Sequence, residues 1–318
     1  MPFLYLVLGL AALYWGAEWL VRGASRIAFS LHVSSLAIGL TVVAFGTSMP
    51  EMVAGGVAAW RGNTDIVLGN VFGSNIANVG LILAVAALLR RIPVSLRTLQ
   101  REMPLMMVAT VLVYVLASNG EIGRVAGIAL VAALIGFTWL TLRWAGGEFE
   151  RVPDAAEHGP QEADPYSAPP SRLGVECGRV IVGLAALGIG AQLLVGAALQ
   201  LARELGVSEF VISVSVVALG TSLPELATSV VAALRGETDV LVGNIVGSNI
   251  FNLLGALGVG AMIRPLPVAG EIVAFDIPVV LAFTVAMILG LGLHRAMVRW
   301  EGALLLLGYA VYIGRLAL

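Results

Sequence analysis

Two glutamates stand inside apolar stretches, each at the end of the same short pattern: Gly46-Thr47-Ser48-Met49-Pro50-Glu51 and Gly220-Thr221-Ser222-Leu223-Pro224-Glu225. On a helix, residues three and four positions apart share a face, so Thr47 and Ser48 are expected beside Glu51, and Thr221 and Ser222 beside Glu225. Pro50 has no N–H to give the carbonyl of Gly46, and Gly46 itself loosens the turn. The stretch should therefore be kinked or partly unwound, with carbonyl oxygens free. Further on, Ser74/Asn78 and Ser248/Asn252 each place a hydroxyl and an amide one turn apart. These groups make an oxygen set with no imidazole or thiolate. Hard cations want such a set: Ca²⁺ takes about six to eight oxygens, hydroxyls and carbonyls also suit Na⁺, and Mg²⁺ demands a stiffer octahedron. The competing structural reading is a pair of protonated or amide-bonded glutamates that lock helix kinks.

Other site chemistries have little to work with. Cys177 is the one cysteine, so no internal disulfide forms, and His32, His158 and His294 are too scattered for a tetrahedral zinc site. A hydrolase with Ser48 or Ser222 as nucleophile needs a base in reach. His32 lies sixteen residues before Ser48, about 24 Å along a helix axis. No enzyme activity and no cofactor is expected.

The elements that hold these residues are set by hydropathy. Apolar residues make up 59% of the 318 and charged residues 12%, about half the charge of a soluble domain, and the mean hydropathy is +0.96. This is the composition of an all-α integral membrane protein. Windows of about 20 apolar residues predict ten spans, at 3–29, 33–59, 66–89, 103–119, 122–142, 176–202, 208–234, 240–263, 271–292 and 297–316. The N-terminal stretch is taken as a span, not a cleaved signal. All 18 basic residues are Arg, and the net charge of −2 offers no basic surface for nucleic acid. Most of the arginines fall in the odd-numbered connections, which predicts a multi-pass protein of the cell membrane with both termini extracytoplasmic. The lipid bilayer is the one surrounding partner expected; no protein partner is required. Residues 143–175 form a cytoplasmic linker whose Pro- and acid-rich part has no core.

Adding 174 to a residue number in the first half finds its counterpart in the second. Beyond the Glu motifs, Arg61-Gly62 answers to Arg235-Gly236, and Gly69-Asn70-Val71-Phe72-Gly73-Ser74-Asn75-Ile76-Ala77-Asn78 to Gly243-Asn244-Ile245-Val246-Gly247-Ser248-Asn249-Ile250-Phe251-Asn252. More than half of the positions from Gly46 to Asn78 are identical to their counterparts, which marks an internal repeat. The halves are 1–142 and 176–318. Each holds five predicted spans, an odd number, so they should lie upside down to one another, with the substrate site near the midplane where they meet.

The two G-T-S-x-P-E segments followed by G-N-x-x-G-S-N-I-x-N resemble the α-repeats, here 39–83 and 213–257, of the cation/calcium antiporter superfamily. The resemblance is to the sodium/calcium exchangers, in particular bacterial members related to the potassium-dependent branch. It implies exchange of Na⁺ for Ca²⁺ by alternating access. Glu51 and Glu225 match the family's principal Ca²⁺ ligands. Thr47, Ser48, Ser74, Asn78, Thr221, Ser222, Ser248 and Asn252 match its hydroxyl and amide positions, and Ala44 and Ala218 match positions that offer a backbone carbonyl to Na⁺. Several members carry Asp where this chain has Asn252, which bears on counter-ion stoichiometry and K⁺ dependence. The central linker is too short for the regulatory domains of animal members. An exchanger of H⁺ for Ca²⁺ or another divalent cation is the alternative, and a passive cation channel a more distant one.

The remaining charged residues receive structural expectations. Glu18 should pair with Arg22 at i+4; its repeat counterpart is Gln192. Asp65 and Asp239 are read as helix N-caps, and Glu102 and Asp276 as helix-start residues. Gly55-Gly56 and the run from Gly183 to Gly196 should permit close helix packing.

Overall fold

In lipid a backbone has to satisfy its own hydrogen bonds, and in a chain this apolar the helix does so locally. The computed structural model describes residues 2–145, 173–204 and 218–316, which are helical almost throughout. The helices are α1 (Pro2–Ser30), α2 (Ser35–Thr47), α3 (Met49–Arg61), α4 (Thr64–Leu89), α5 (Leu96–Ala117), α6 (Arg124–Ala145), α7 (Leu173–Glu204), α8 (Ala218–Thr221), α9 (Leu223–Arg235), α10 (Thr238–Ile263), α11 (Ile272–His294) and α12 (Arg299–Leu316). Seven of these are long and apolar enough to cross a membrane, or eight if α2 and α3 are one bent span. Most of the linker and residues 205–217, which include the first ten of the seventh predicted span, lie outside the described residues.

The expected kink is present. α2 and α3 meet at 43°, with Ser48 at the break in a non-helical conformation (φ −83°, ψ 1°) and Pro50 in the first turn of α3. Ser222 repeats the break between α8 and α9 (φ −88°, ψ 6°) with Pro224 just after it. Wide π-helical turns at Gly39–Val43, Asn78–Leu83, Phe251–Ala256 and Ile272–Asp276 are further irregularities. Two of them contain the site asparagines Asn78 and Asn252, in keeping with the tendency of such turns to occur at functional positions.

α10 and α4 are the most enclosed of the long helices, and they carry the Ser/Asn pairs. Glycines bring α10 against α2: a Cβ on Gly243 would sit 2.7 Å from the Leu36 carbonyl oxygen, and one on Gly247 2.7 Å from that of Leu40. α1 and α7 lie equally close. A Cβ on Gly9 would meet Gly190, one on Gly16 would meet Gly183, and one on Gly23 would meet Glu176. Numbers fall along α7 as they rise along α1, so the two helices are antiparallel. Of the glycines expected to allow close packing, Gly183 and Gly190 do so, whereas Gly55 and Gly56 have only ordinary contacts and Gly188 and Gly196 have open space.

Four two-residue strands tie the halves at their ends. Ile92–Pro93 pairs with Ala296–Met297, and Glu121–Ile122 with Leu266–Pro267, both antiparallel. Val94 N–H reaches the Arg295 carbonyl and its counterpart Val268 N–H reaches that of Gly120, both at 2.8 Å.

One sequence expectation is corrected. Asn63 and Glu237, not Asp65 and Asp239, hold the cap positions of α4 and α10, without side-chain capping bonds. The aspartates lie inside the first turn, where their charge suits the positive helix end. Glu102 opens the regular part of α5 as expected. Asp276 likewise holds the N-cap position of the α-helical part of α11, Ile277–His294, directly after a π-helical turn, and accepts the Tyr312 hydroxyl at 3.0 Å.

The α1/α7 contact yields a test. Gly16→Ala would place a methyl 2.8 Å from the Leu187 nitrogen and 2.9 Å from the Gly183 oxygen, both backbone atoms that cannot rotate away. It should destabilise the purified protein by about 1–3 kcal/mol. Gly188→Ala, in open space, should be neutral or stabilise by up to about 1 kcal/mol. Thermal unfolding of both in detergent decides, and equal melting temperatures would refute the packing argument.

Candidate cation site

Glu51 and Glu225 each lie in the first turn of a half-helix, where the dipole's positive end favours a carboxylate. Both are fully enclosed, at 0% and 1% exposure. The helix break that precedes each glutamate also changes its neighbours. Among the described residues no hydrogen bond is found from Thr47 or Ser48 to the Glu51 carboxylate. The hydroxyls cross over instead: Ser48 Oγ donates to Glu225 Oε1 at 3.2 Å, and Ser222 Oγ lies 3.2 Å from Glu51 Oε1. Each carboxylate is thus held by a hydroxyl of the other half.

The rest of the set is exchanged in the same way. Thr47 Oγ1 donates to Asn244 Oδ1 at 3.0 Å and lies 3.4 Å from Ser248 Oγ. Thr221 Oγ1 lies 3.4 Å from Asn70 Oδ1. Ser222 Oγ is also 3.3 Å from Ser74 Oγ, and its single proton serves only one of its two acceptors at a time. The Ala44 carbonyl accepts the Ser48 N–H at 3.0 Å, with Thr47 Oγ1 at 3.4 Å. Ala218 opens α8, two residues ahead of Gly220.

Asn70 and Asn244 join this hydrogen-bonded cluster, and the sequence reading left them out of the candidate set. The Asn70 amide donates to the Glu51 backbone carbonyl at 3.2 Å, and that of Asn244 to the Glu225 carbonyl at 3.5 Å and to Ser229 Oγ at 3.0 Å. Each asparagine therefore spans from its own half's glutamate backbone to the other half's threonine. The signal was in the repeat, where both open the pattern G-N-x-x-G-S-N.

Several buried polar atoms find no partner among the described residues: Glu51 Oε2, Glu225 Oε2, and both side-chain polar atoms of Asn78 and Asn252. Buried oxygens are seldom left so. Their oxygens are acceptors, which fits a cation and not an anion.

Over residues 1–143 and 177–317 the chain matches the family described as sodium/calcium exchanger protein. It belongs to that family. This exchanger is 38% identical, over 97% of its length and 96% of the relative's, to CaxA of Alkalimonas amylolytica, named as a candidate antiporter. It is 34% identical to sodium/calcium exchanger MaX1 of Methanosarcina acetivorans, over 98% of this chain and 97% of that one. A solved structure of the sodium-calcium exchanger NCX_Mj, soaked with zero Na⁺ and Ca²⁺, superposes with a TM-score of 0.85 at 30% identity, covering 99% of this chain and 98% of that one. The exchanger is therefore an all-helical, multi-pass membrane protein of a cation/Ca²⁺ antiporter family, a transporter class and not an enzyme class.

Asn244 gives this site's test. Asn244→Ala would strip a partner from Thr47 and Ser229 in a fully buried position, which should cost about 1–3 kcal/mol. The half-buried Asn70→Ala should cost less. Thermal unfolding in detergent compares them, and a larger loss in Asn70→Ala would reverse the assignment.

Proposed function

We propose that the exchanger moves Na⁺ against Ca²⁺ across the cell membrane by alternating access. One midplane site serves both ions, made of Glu51, Glu225, Thr47, Ser48, Thr221, Ser222, Ser74, Asn78, Ser248 and Asn252, with the carbonyls of Ala44 and Ala218. The crossed pairs Ser48–Glu225 and Ser222–Glu51 carry this reading, because they bring both carboxylates into one oxygen-lined centre shared by the halves. Ten spans in two inverted repeats, 1–142 and 176–318, joined by a cytoplasmic linker, form the scaffold of the proposal. The antiparallel α1 and α7, at equivalent positions in the repeat, support the inversion.

The chemistry follows from charge. A carboxylate at helix mid-depth costs about 2.5–3.5 kcal/mol to insert, and two together are tolerable when a cation neutralises them. Ionised Glu51 and Glu225 supply −2, which balances one Ca²⁺ or two Na⁺; a third Na⁺ leaves +1 and makes the exchange electrogenic. One centre cannot satisfy both loads at once, so the ions compete, and competition at a site open to one side at a time is exchange. Serine, threonine and asparagine oxygens replace the water that each ion sheds.

Proteoliposomes loaded with Na⁺ should accumulate Ca²⁺ when the outside is Na⁺-free. Uptake indifferent to internal Na⁺ would refute Na⁺ coupling, and uptake that follows a proton gradient would assign H⁺ as the counter-ion. Glu51→Gln and Glu225→Gln each halve the formal charge of the site and should each reduce Ca²⁺ transport by about 100-fold or more, with unfolding temperature close to wild type. Near-normal transport by either variant removes that glutamate from the ligand set.

A further inference from the structure

The ion pairs that join α1 to the second half occur at one end of the molecule and are absent from the repeat. Glu18, 2% exposed, receives Arg22 at 2.6 Å and two nitrogens of Arg235, the last residue of α9, at 2.9 and 2.5 Å. One helical stretch along, Ser25 Oγ donates to Glu237 Oε2 at 2.6 Å. Glu176 of α7 takes Arg26 of α1 at 3.2 Å, and Arg179 reaches its two oxygens at 2.7 and 2.8 Å. These contacts fasten α1, α7 and α9 together around a bidentate pair whose carboxylate is buried and whose guanidinium is partly exposed, a geometry that strengthens such an interaction.

The repeat assigns a counterpart to every member of this cluster. Glu18 corresponds to Gln192, Arg22 to Gly196, Ser25 to Leu199, Arg26 to Gln200, Glu176 to Pro2, Arg179 to Tyr5, Glu237 to Asn63 and Arg235 to Arg61. None of the three acids recurs, and of the arginines only Arg61 does. Exposure differs accordingly: Glu18 is buried, whereas Gln192 at the equivalent place on α7 is exposed. Among the described residues, Glu18 at the cluster end of α1 is closed on its neighbours and Gln192 on α7 is not.

In two identical inverted halves, the states open to either side would be equal in free energy, so any preference has to come from residues the halves do not share. We propose that the Glu18–Arg235 pair, with Arg22, Ser25 and Glu237, is a one-sided clamp that sets the resting orientation of the exchanger by holding the Glu18 end closed. It rests on the alternating access proposed above. Glu18, Arg235 and Glu237 are then positioning residues: they touch no transported ion, yet any motion of α1 past α9 has to separate them and expose a buried carboxylate.

Hydrogen–deuterium exchange of the full chain in lipid nanodiscs, free of Na⁺ and Ca²⁺, tests this. In wild type, backbone amides of residues 18–30 should be better protected than those of 190–201. Glu18→Gln should speed exchange at 18–30 by about tenfold or more, the worth of one charged hydrogen bond, and slow it at 190–201 in the same sample. Arg235→Lys, which keeps the charge but not the fork, should fall between wild type and Arg235→Gln. Gln192→Glu changes an exposed side chain and gives the second half the acid that its repeat counterpart Glu18 supplies, with Arg61 as the counterpart of Arg235; it should shift protection in the same direction as Glu18→Gln. A merely structural pair would loosen 18–30 without tightening 190–201. Acceleration at both ends in Glu18→Gln, or unchanged exchange at 190–201 in both variants, overturns the clamp. The readings need no transport, so a failure of Na⁺-driven uptake would count against the proposed function and leave the clamp to be judged on exchange rates.

Discussion

Everything in this molecule is arranged around two carboxylates that an apolar interior cannot hold unaided. Glu51 and Glu225 are buried, and no basic side chain among the described residues pairs with them. The protein answers with its own dipoles. Both glutamates start half-helices, and hydroxyls and amides from four further helix segments converge on them. What they still lack is positive charge, and that need couples the site to cations.

Supplying those dipoles governs the packing. Broken backbone at Ser48 and Ser222 is tolerable only when buried in protein, so the break has to be enclosed by other helices. Helices α4 and α10 do this from the centre. The close approach of α10 to α2 depends on glycines, since Gly243 and Gly247 face backbone atoms that leave no room for a Cβ. The π-helical turns at Asn78–Leu83 and Phe251–Ala256 fall where the central helices pass the site. The irregular backbone, the glycines and the polar side chains therefore belong to one arrangement.

Repetition and its failures have different meanings. Where the halves agree, they build the shared centre, each lending a serine to the other's glutamate and a threonine to the other's asparagine. Where they differ, as at Glu18 and Gln192 or Glu237 and Asn63, the two ends of the molecule become inequivalent. Asn252 matches Asn78 in its own chain, so the centre itself stays even between the halves.

Local physics made part of this legible from sequence. The helices follow from hydropathy, the kink from Pro50 and Gly46, the Glu18–Arg22 pair from i+4 spacing, and the repeat from a constant offset of 174. Each of these depends on residues within a few positions of one another, or on comparing the chain with itself. The partners of the charged and polar groups were another matter. Ser48 meets Glu225 across 177 positions, Ser222 meets Glu51 across 171, and Arg235 meets Glu18 across 217. Sequence reasoning gave each glutamate the hydroxyls of its own helix and gave Glu18 a local partner alone, because helical periodicity describes one segment at a time. It left out Asn70 and Asn244 for the same reason, since their role is to bridge segments. The sequence by itself determined which groups had to be buried and that they come in matched pairs; only the packing of one half against the other decided which atom answers which, because hydrogen bonds act over about 3 Å and that proximity is a property of the tertiary structure.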